Sequence, residues 1–173
     1  MKNNNKGFSY VEFILVIAIM AILIGVMALS MGLIGRTNIN RGIEKVSSSL
    51  NQARNSSMAR GTLKGAFEIS YDGTQYYCYV GAAGATDKEE LQEELVASPV
   101  IVGYYLAGDA DTLYQVTESN PLRLQYNQST GSFKPIDLPD GSKVYCDRIV
   151  MIHGDKVAEI KLYPETGKTE LVY

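Results

Sequence analysis

The order of apolar and polar positions changes character twice along the chain. From Phe13 to Gly35 runs FILVIAIMAILIGVMALSMGLIG, 23 residues without a charge and with Ser30 as the only polar side chain. As a helix this is roughly 34 Å, enough to cross a hydrocarbon layer of about 30 Å. Beyond Arg36 the pattern becomes periodic. Ile39, Ile43, Val46, Leu50 and Ala53 recur at spacings of four, three, four and three, with Asn40, Arg41, Glu44, Lys45 and Gln52 on other faces. That is one apolar stripe on a helix. The two patterns together predict a helix from about Ser9 to Arg60, about 78 Å long, with Gly61 as its stop.

After Gly61 the period shortens to alternation, with turn residues between the runs. AFEISY (Ala66 to Tyr71), Asp72-Gly73 and TQYYCYV (Thr74 to Val80) predict a hairpin. Gly81 to Thr86 is predicted as a loop, and Thr86 or Asp87 as the cap of a short helix KEELQEELVA. Further strands are predicted over Val100–Leu106, Leu113–Thr117, Leu122–Tyr126, Lys143–Ile152, Lys156–Tyr163 and Lys168–Tyr173. The stretch between Gln128 and Gly141 is rich in turn residues and has no defined course. The expected fold class is α+β: a long N-terminal helix, transmembrane then amphipathic, packed on a mostly antiparallel sheet.

Length and charge narrow the classes. The chain has 173 residues, which suits one domain plus its ends. The expected divisions are 1–7 as a leader, 8–35 as a transmembrane segment, 36–61 as the amphipathic continuation and 62–173 as a globular domain. Net charge is −3, so no global basic field recruits nucleic acid. Arg54, Arg60 and Lys64 form at most a small patch, and duplex DNA binding by the isolated domain is not expected. Lys2 and Lys6 precede the apolar run. The positive-inside bias therefore predicts a cytoplasmic N-terminus and an outside C-terminal part.

Cys78 and Cys146 are the only cysteines, and His153 is the only histidine. A zinc site of the usual Cys/His kind is not expected, on number and spacing. Outside the cell, both cysteines would lie on strands, and a disulfide with Cα atoms about 6 Å apart is expected. Asp109 and Asp111 in Gly108-Asp109-Ala110-Asp111 are calcium-type ligands, but two aspartates do not define a site. No phosphate-binding loop and no nucleophile elbow are present. No metal, cofactor or catalytic activity is expected.

Glu12 stands between Val11 and Phe13 at the mouth of the apolar run. A carboxylate there is unfavourable and points to function with a partner. If the chain were cut after Gly7, Phe8 would carry a free α-amine four residues before Glu12, about 6 Å of helical rise.

KGFSYVEFILVIAIMAILIGV resembles the class III signal of type IV prepilins and pseudopilins: a short basic leader ending in Gly, an aromatic residue, Glu at the fifth mature position, then an unbroken apolar helix. Gly7, Phe8 and Glu12 fall on those positions. The resemblance implies cleavage after Gly7 by a prepilin peptidase, N-methylation of Phe8, and pairing of Glu12 with the Phe8 amine of a neighbouring subunit during assembly. It implies further pilin or pseudopilin subunits and an inner-membrane assembly platform as partners. It also implies a single-pass cell-membrane location before assembly and an extracellular filament afterwards. One departure is that no proline precedes Pro99, whereas many pilins carry one in the membrane segment; Gly25, Gly32 and Gly35 are candidates for the same helical weakness. LNQARNSSMARG (Leu50 to Gly61) followed by a strand is similar to minor pseudopilins near the filament tip. The function implied is a structural subunit, of the minor kind, of a type IV pilus, competence pilus or type II secretion pseudopilus. The alternatives are a tip module that binds DNA or surfaces and a membrane-anchored ectodomain that does not polymerise.

Overall fold

The computed structural model describes residues 10–61, 64–82, 92–97, 99–138 and 141–172, and their side chains apart from 25–37 and 110. One helix, α1 (Tyr10–Arg60), is 51 residues long. The chain separates into two compact units, Met1–Arg36 and Thr37–Tyr173, so α1 is shared between them.

In the first unit, every residue from Tyr10 to Ile24 is exposed. Straight and β-branched apolar side chains cover all sides of this helix, so it has no polar face to turn outward and no apolar face that is singled out for a core.

The second unit contains the packed core. Ile39, Ile43, Val46, Leu50 and Ala53 of α1 are at most 1% exposed, because four-three spacing puts them on one face. Each of the larger ones contributes about 1.5–3 kcal/mol by leaving water. Gly61, at φ 100°, ends the helix, since only glycine takes that conformation without steric cost. Its N–H still donates to the Ser57 carbonyl at 3.0 Å. The buried Ser57 Oγ then donates to the Gly65 carbonyl at 3.1 Å, which ties the helix end to the first strand.

Eleven strands follow among the described residues: β1 (Ala66–Tyr71), β2 (Gln75–Gly81), β3 (Glu93–Ala97), β4 (Ile101–Leu106), β5 (Asp109–Gln115), β6 (Leu122–Leu124), β7 (Ile136–Asp137), β8 (Lys143–Val144), β9 (Cys146–His153), β10 (Lys156–Tyr163) and β11 (Lys168–Val172). They form a four-stranded sheet in the order β3-β2-β1-β6, a five-stranded sheet in the order β11-β10-β9-β4-β5, and a two-stranded ribbon β7-β8. Every one of these pairings is antiparallel. Alternation decides the inward face. In β10, Ala158, Ile160 and Leu162 are buried while Val157, Lys161 and Tyr163 are exposed. The helix stripe and the inward faces of both larger sheets share one core. Gly42 sits where they converge. A Cβ there would lie 2.6 Å from Val96 Cγ1 of β3 and 2.9 Å from Met151 Sδ of β9, so its missing side chain lets the helix approach both sheets.

Several expectations are corrected. The fold is mostly antiparallel β, in two sheets and a ribbon. It is not a sheet organised on a transmembrane-then-amphipathic spine, because the part of α1 before Thr37 belongs to a separate unit and its described side chains bury nothing. Among the described residues no helix is long and apolar enough to cross a membrane. This overturns the transmembrane segment and the single-pass cell-membrane location.

The expected helix KEELQEELVA is corrected in its last five residues, which form β3 on the edge of the four-stranded sheet. Its first part lies largely outside the described residues. Leu95 and Val96 are buried there, and pairing with β2 outweighs the helical preference of the glutamates. The segment between Gln128 and Gly141 supplies β7.

Candidate functional site

Four places carry side chains of the kinds that form sites: the start of α1, the cysteines, the short-loop acids with the lone histidine, and a cleft beside β6. Gly7 and Phe8 lie outside the described residues. Glu12 lies in the first turn of α1, where a carboxylate complements the unpaired N–H groups of a helix start. It is flanked by exposed apolar side chains, with Val11 at 70% and Phe13 at 59% exposure.

The disulfide is corrected. Both cysteines are buried as free thiols, and the folding topology puts them in different sheets. Cys78 is on β2, with its Sγ 3.6 Å from Ser49 Oγ of α1. Cys146 opens β9, and its thiol donates to the Arg148 carbonyl at 3.8 Å. Burial raises both thiol pKa values, which keeps them protonated and unreactive at neutral pH.

The acids and the histidine do not converge. No cluster of three or more His, Cys, Asp or Glu residues that could hold a metal ion occurs among the described residues. Asp109 spends its carboxylate on the β5 start, accepting from Thr112 N–H at 3.1 Å and from the Tyr114 hydroxyl at 3.3 Å. His153 closes β9 beside the Gly154-Asp155 turn, with an enclosed Nδ1 that has no hydrogen-bond partner. In the basic patch, Arg54 is committed to structure. Its Nε donates to the Gly131 carbonyl and its Nη2 to the Thr166 carbonyl, both at 3.0 Å.

The cleft was not anticipated. It has a volume of about 750 Å³, and its walls include Leu122, Arg123 and Gln125 on one side and Lys134, Ile136 and Lys143 on the other. Its origin can be followed along the backbone. Lys134 N–H donates to the Gln125 carbonyl and Asn127 N–H to the Ser132 carbonyl, both at 2.8 Å, with Tyr126 paired to Phe133 between them. This is a hairpin that prolongs β6. Continued in register, it would set Ile136 opposite Arg123. Instead, beyond Pro135, Ile136 pairs with Val144 and Asp137 with Lys143, and the two arms splay apart. Three cations and one acid, Asp137, line the opening, in a chain of net charge −3.

Arg123, Lys134 and Lys143 belong to no sequence motif. They come from β6, a hairpin arm and β8, and only the splayed backbone puts them around one opening. The sole signal in the sequence was Pro135 within a stretch of uncertain course.

Comparison with known proteins adds no relative: no family model, no curated protein and no solved structure matches the chain.

Proposed function

We propose that the protein is a structural subunit, of the minor kind, of a filament of the type IV pilus, competence pilus or type II secretion pseudopilus class. In this reading a prepilin peptidase cuts after Gly7, Phe8 is N-methylated, and Glu12 pairs with the Phe8 amine of a neighbouring subunit. Other pilin or pseudopilin subunits and an assembly platform are its partners.

The observation that supports it most is the state of Tyr10–Ile24. Fifteen consecutive helical residues are exposed, and Glu12 is the only charged one among them. An exposed apolar surface of that extent marks an interaction site. A helix that is apolar all round suits the centre of a bundle of like helices, where each copy covers its neighbours. A single acid in such a bundle needs a positive partner, and a new α-amine one helical turn away would supply it.

The test separates processing from assembly. Gly7→Val is expected to leave the full-length chain with Lys2 and Lys6 attached, by mass spectrometry of its N-terminus. Glu12→Ala is expected to be cut and methylated normally while its share in sheared filaments, read by immunoblot, falls sharply. A chain that still begins at methylated Phe8 after Gly7→Val removes the processing assignment. Undiminished incorporation of Glu12→Ala removes the assembly role of Glu12.

A further inference from the structure

We propose that the cleft beside β6 binds an extended acidic peptide segment of a partner protein, which adds as a strand to the open edge of the four-stranded sheet. The proposal is independent of the filament reading, since it uses only residues of the second unit.

The edge is open for a structural reason. β6 is the last strand of the sheet order β3-β2-β1-β6 and pairs with β1 through Leu122 and Leu124 opposite Ile69 and Phe67. Strand residues alternate the direction of their backbone polar groups. The Gln125 carbonyl faces the other hairpin arm, where it accepts from Lys134 N–H. Two residues back, the N–H and C=O of Arg123 face the same way, into the cleft, where the departed arm leaves them no strand partner. An N–H and C=O left without a strand partner at a sheet edge are where one more strand can begin to pair.

Charge selects the occupant. Arg123 Nε is held by Glu68 at 2.8 Å, with the arginine side chain 65% exposed, and the residue lines the opening. Lys143 is held by Asp137 at 3.1 Å. Lys134 has no ion pair among the described residues, although its backbone is fixed to Gln125. An inserted strand would run between these cations, with Ile136 and Leu138 as apolar walls. Alternating acidic and apolar side chains match that lining, because successive residues of a strand point to opposite faces. A duplex nucleic acid is a poorer fit: three cations, two of them already paired, give few phosphate contacts.

The test uses the full chain and a fluorescein-labelled eight-residue peptide of alternating Glu and Val. Fluorescence anisotropy is expected to show saturable binding that weakens with salt. Lys134→Ala is expected to weaken it about threefold and Lys134→Glu about tenfold, as loss and reversal of one exposed pair imply, while Lys134→Arg binds like the parent. Circular dichroism of each variant is expected to match the parent. A Glu/Val peptide N-methylated on alternate residues, which cannot pair along one edge, is expected to lose most of its binding. Equal binding of the methylated peptide would overturn strand addition. Unchanged binding by a folded Lys134→Glu would remove this cleft as the site. Stronger displacement by inorganic polyphosphate or duplex DNA than by unlabelled peptide would reduce it to a general anion patch and overturn the proposal.

Discussion

Two stretches of α1, Tyr10–Ile24 and Ile39–Ala53, are alike in being helical and meet opposite fates. Between Tyr10 and Ile24 every side chain is exposed, whereas Ile39, Ile43, Val46, Leu50 and Ala53 are buried to within 1%. The richer stretch is the bare one: fourteen of the fifteen residues from Tyr10 to Ile24 are hydrophobic, against five of the fifteen from Ile39 to Ala53, so arrangement and not amount decides which is covered. A stripe with polar residues on the remaining faces can be covered by two sheets of the same chain, as the 39–53 stripe is. A helix that is apolar on every side cannot be covered by one sheet face, and within its own unit it stays bare. The first kind of sequence builds a fold and the second asks for other molecules.

The sharpest way to break this comparison is to cut the same chemistry from both stretches. Leu50→Ala removes a side chain that is 0% exposed and is expected to cost about 2–5 kcal/mol in urea unfolding of the full chain. Ile17→Ala, at a position 51% exposed in the parent, is expected to shift stability by no more than about 0.5 kcal/mol while lowering filament incorporation. Equal losses in both variants would mean that Ile17 is buried by self-association in solution, and the contrast would fall.

A smaller effect is expected at the point of closest helix approach. Gly42→Val places methyl groups where even a Cβ would crowd Val96 and Met151. The overpacking is expected to cost about 1–3 kcal/mol, part of which the better helix propensity of valine offsets. Unfolding midpoints read this, and an unchanged midpoint would show that Met151 and β3 yield freely.

The smallest effect lies far from both stretches, in the turn between β1 and β2. Asp72 Oδ1 accepts from Gln75 N–H, Thr74 N–H and the Thr74 hydroxyl, each at 2.8 Å. These bonds, the Gln75 and Thr74 backbone donors foremost, lower its pKa from 3.8 to about 2. The folded state therefore favours the carboxylate. Its contribution is present in full above 3.8 and is lost as pH falls towards about 2, because an unfolded chain takes up the proton first. Asp72→Asn is expected to remove that part of the acid dependence, read as urea midpoints across this range. Parallel acid profiles for variant and parent would refute the turn's part in it.

Local features were legible because they follow from local physics. The helix stripe, the stop at Gly61 and the alternation in β10 are properties of residues a few positions apart, and they were read from spacing alone. The β1–β2 connection was read less well. Its strands pair Tyr71 with Tyr76, so four residues intervene where a two-residue Asp72-Gly73 turn was expected, because the Asp72 side chain gathers the donors of Thr74 and Gln75. The strand at 93–97 was missed altogether, since glutamates and leucine suit a helix until β2 offers them an edge.

The amino-acid sequence by itself determined where apolar surface gathers, which stretch is striped and which is uniform, and where the chain must turn. Those properties depend on side chains within one or two helical turns or strand repeats. Tertiary structure alone decided that Cys78 and Cys146 go to different sheets, that Arg54 is spent on two distant carbonyls, and that Arg123, Lys134 and Lys143 meet around one opening. Each depends on which strands become neighbours. Neighbour choice is set by the burial of a whole core, and no short window of sequence contains that sum.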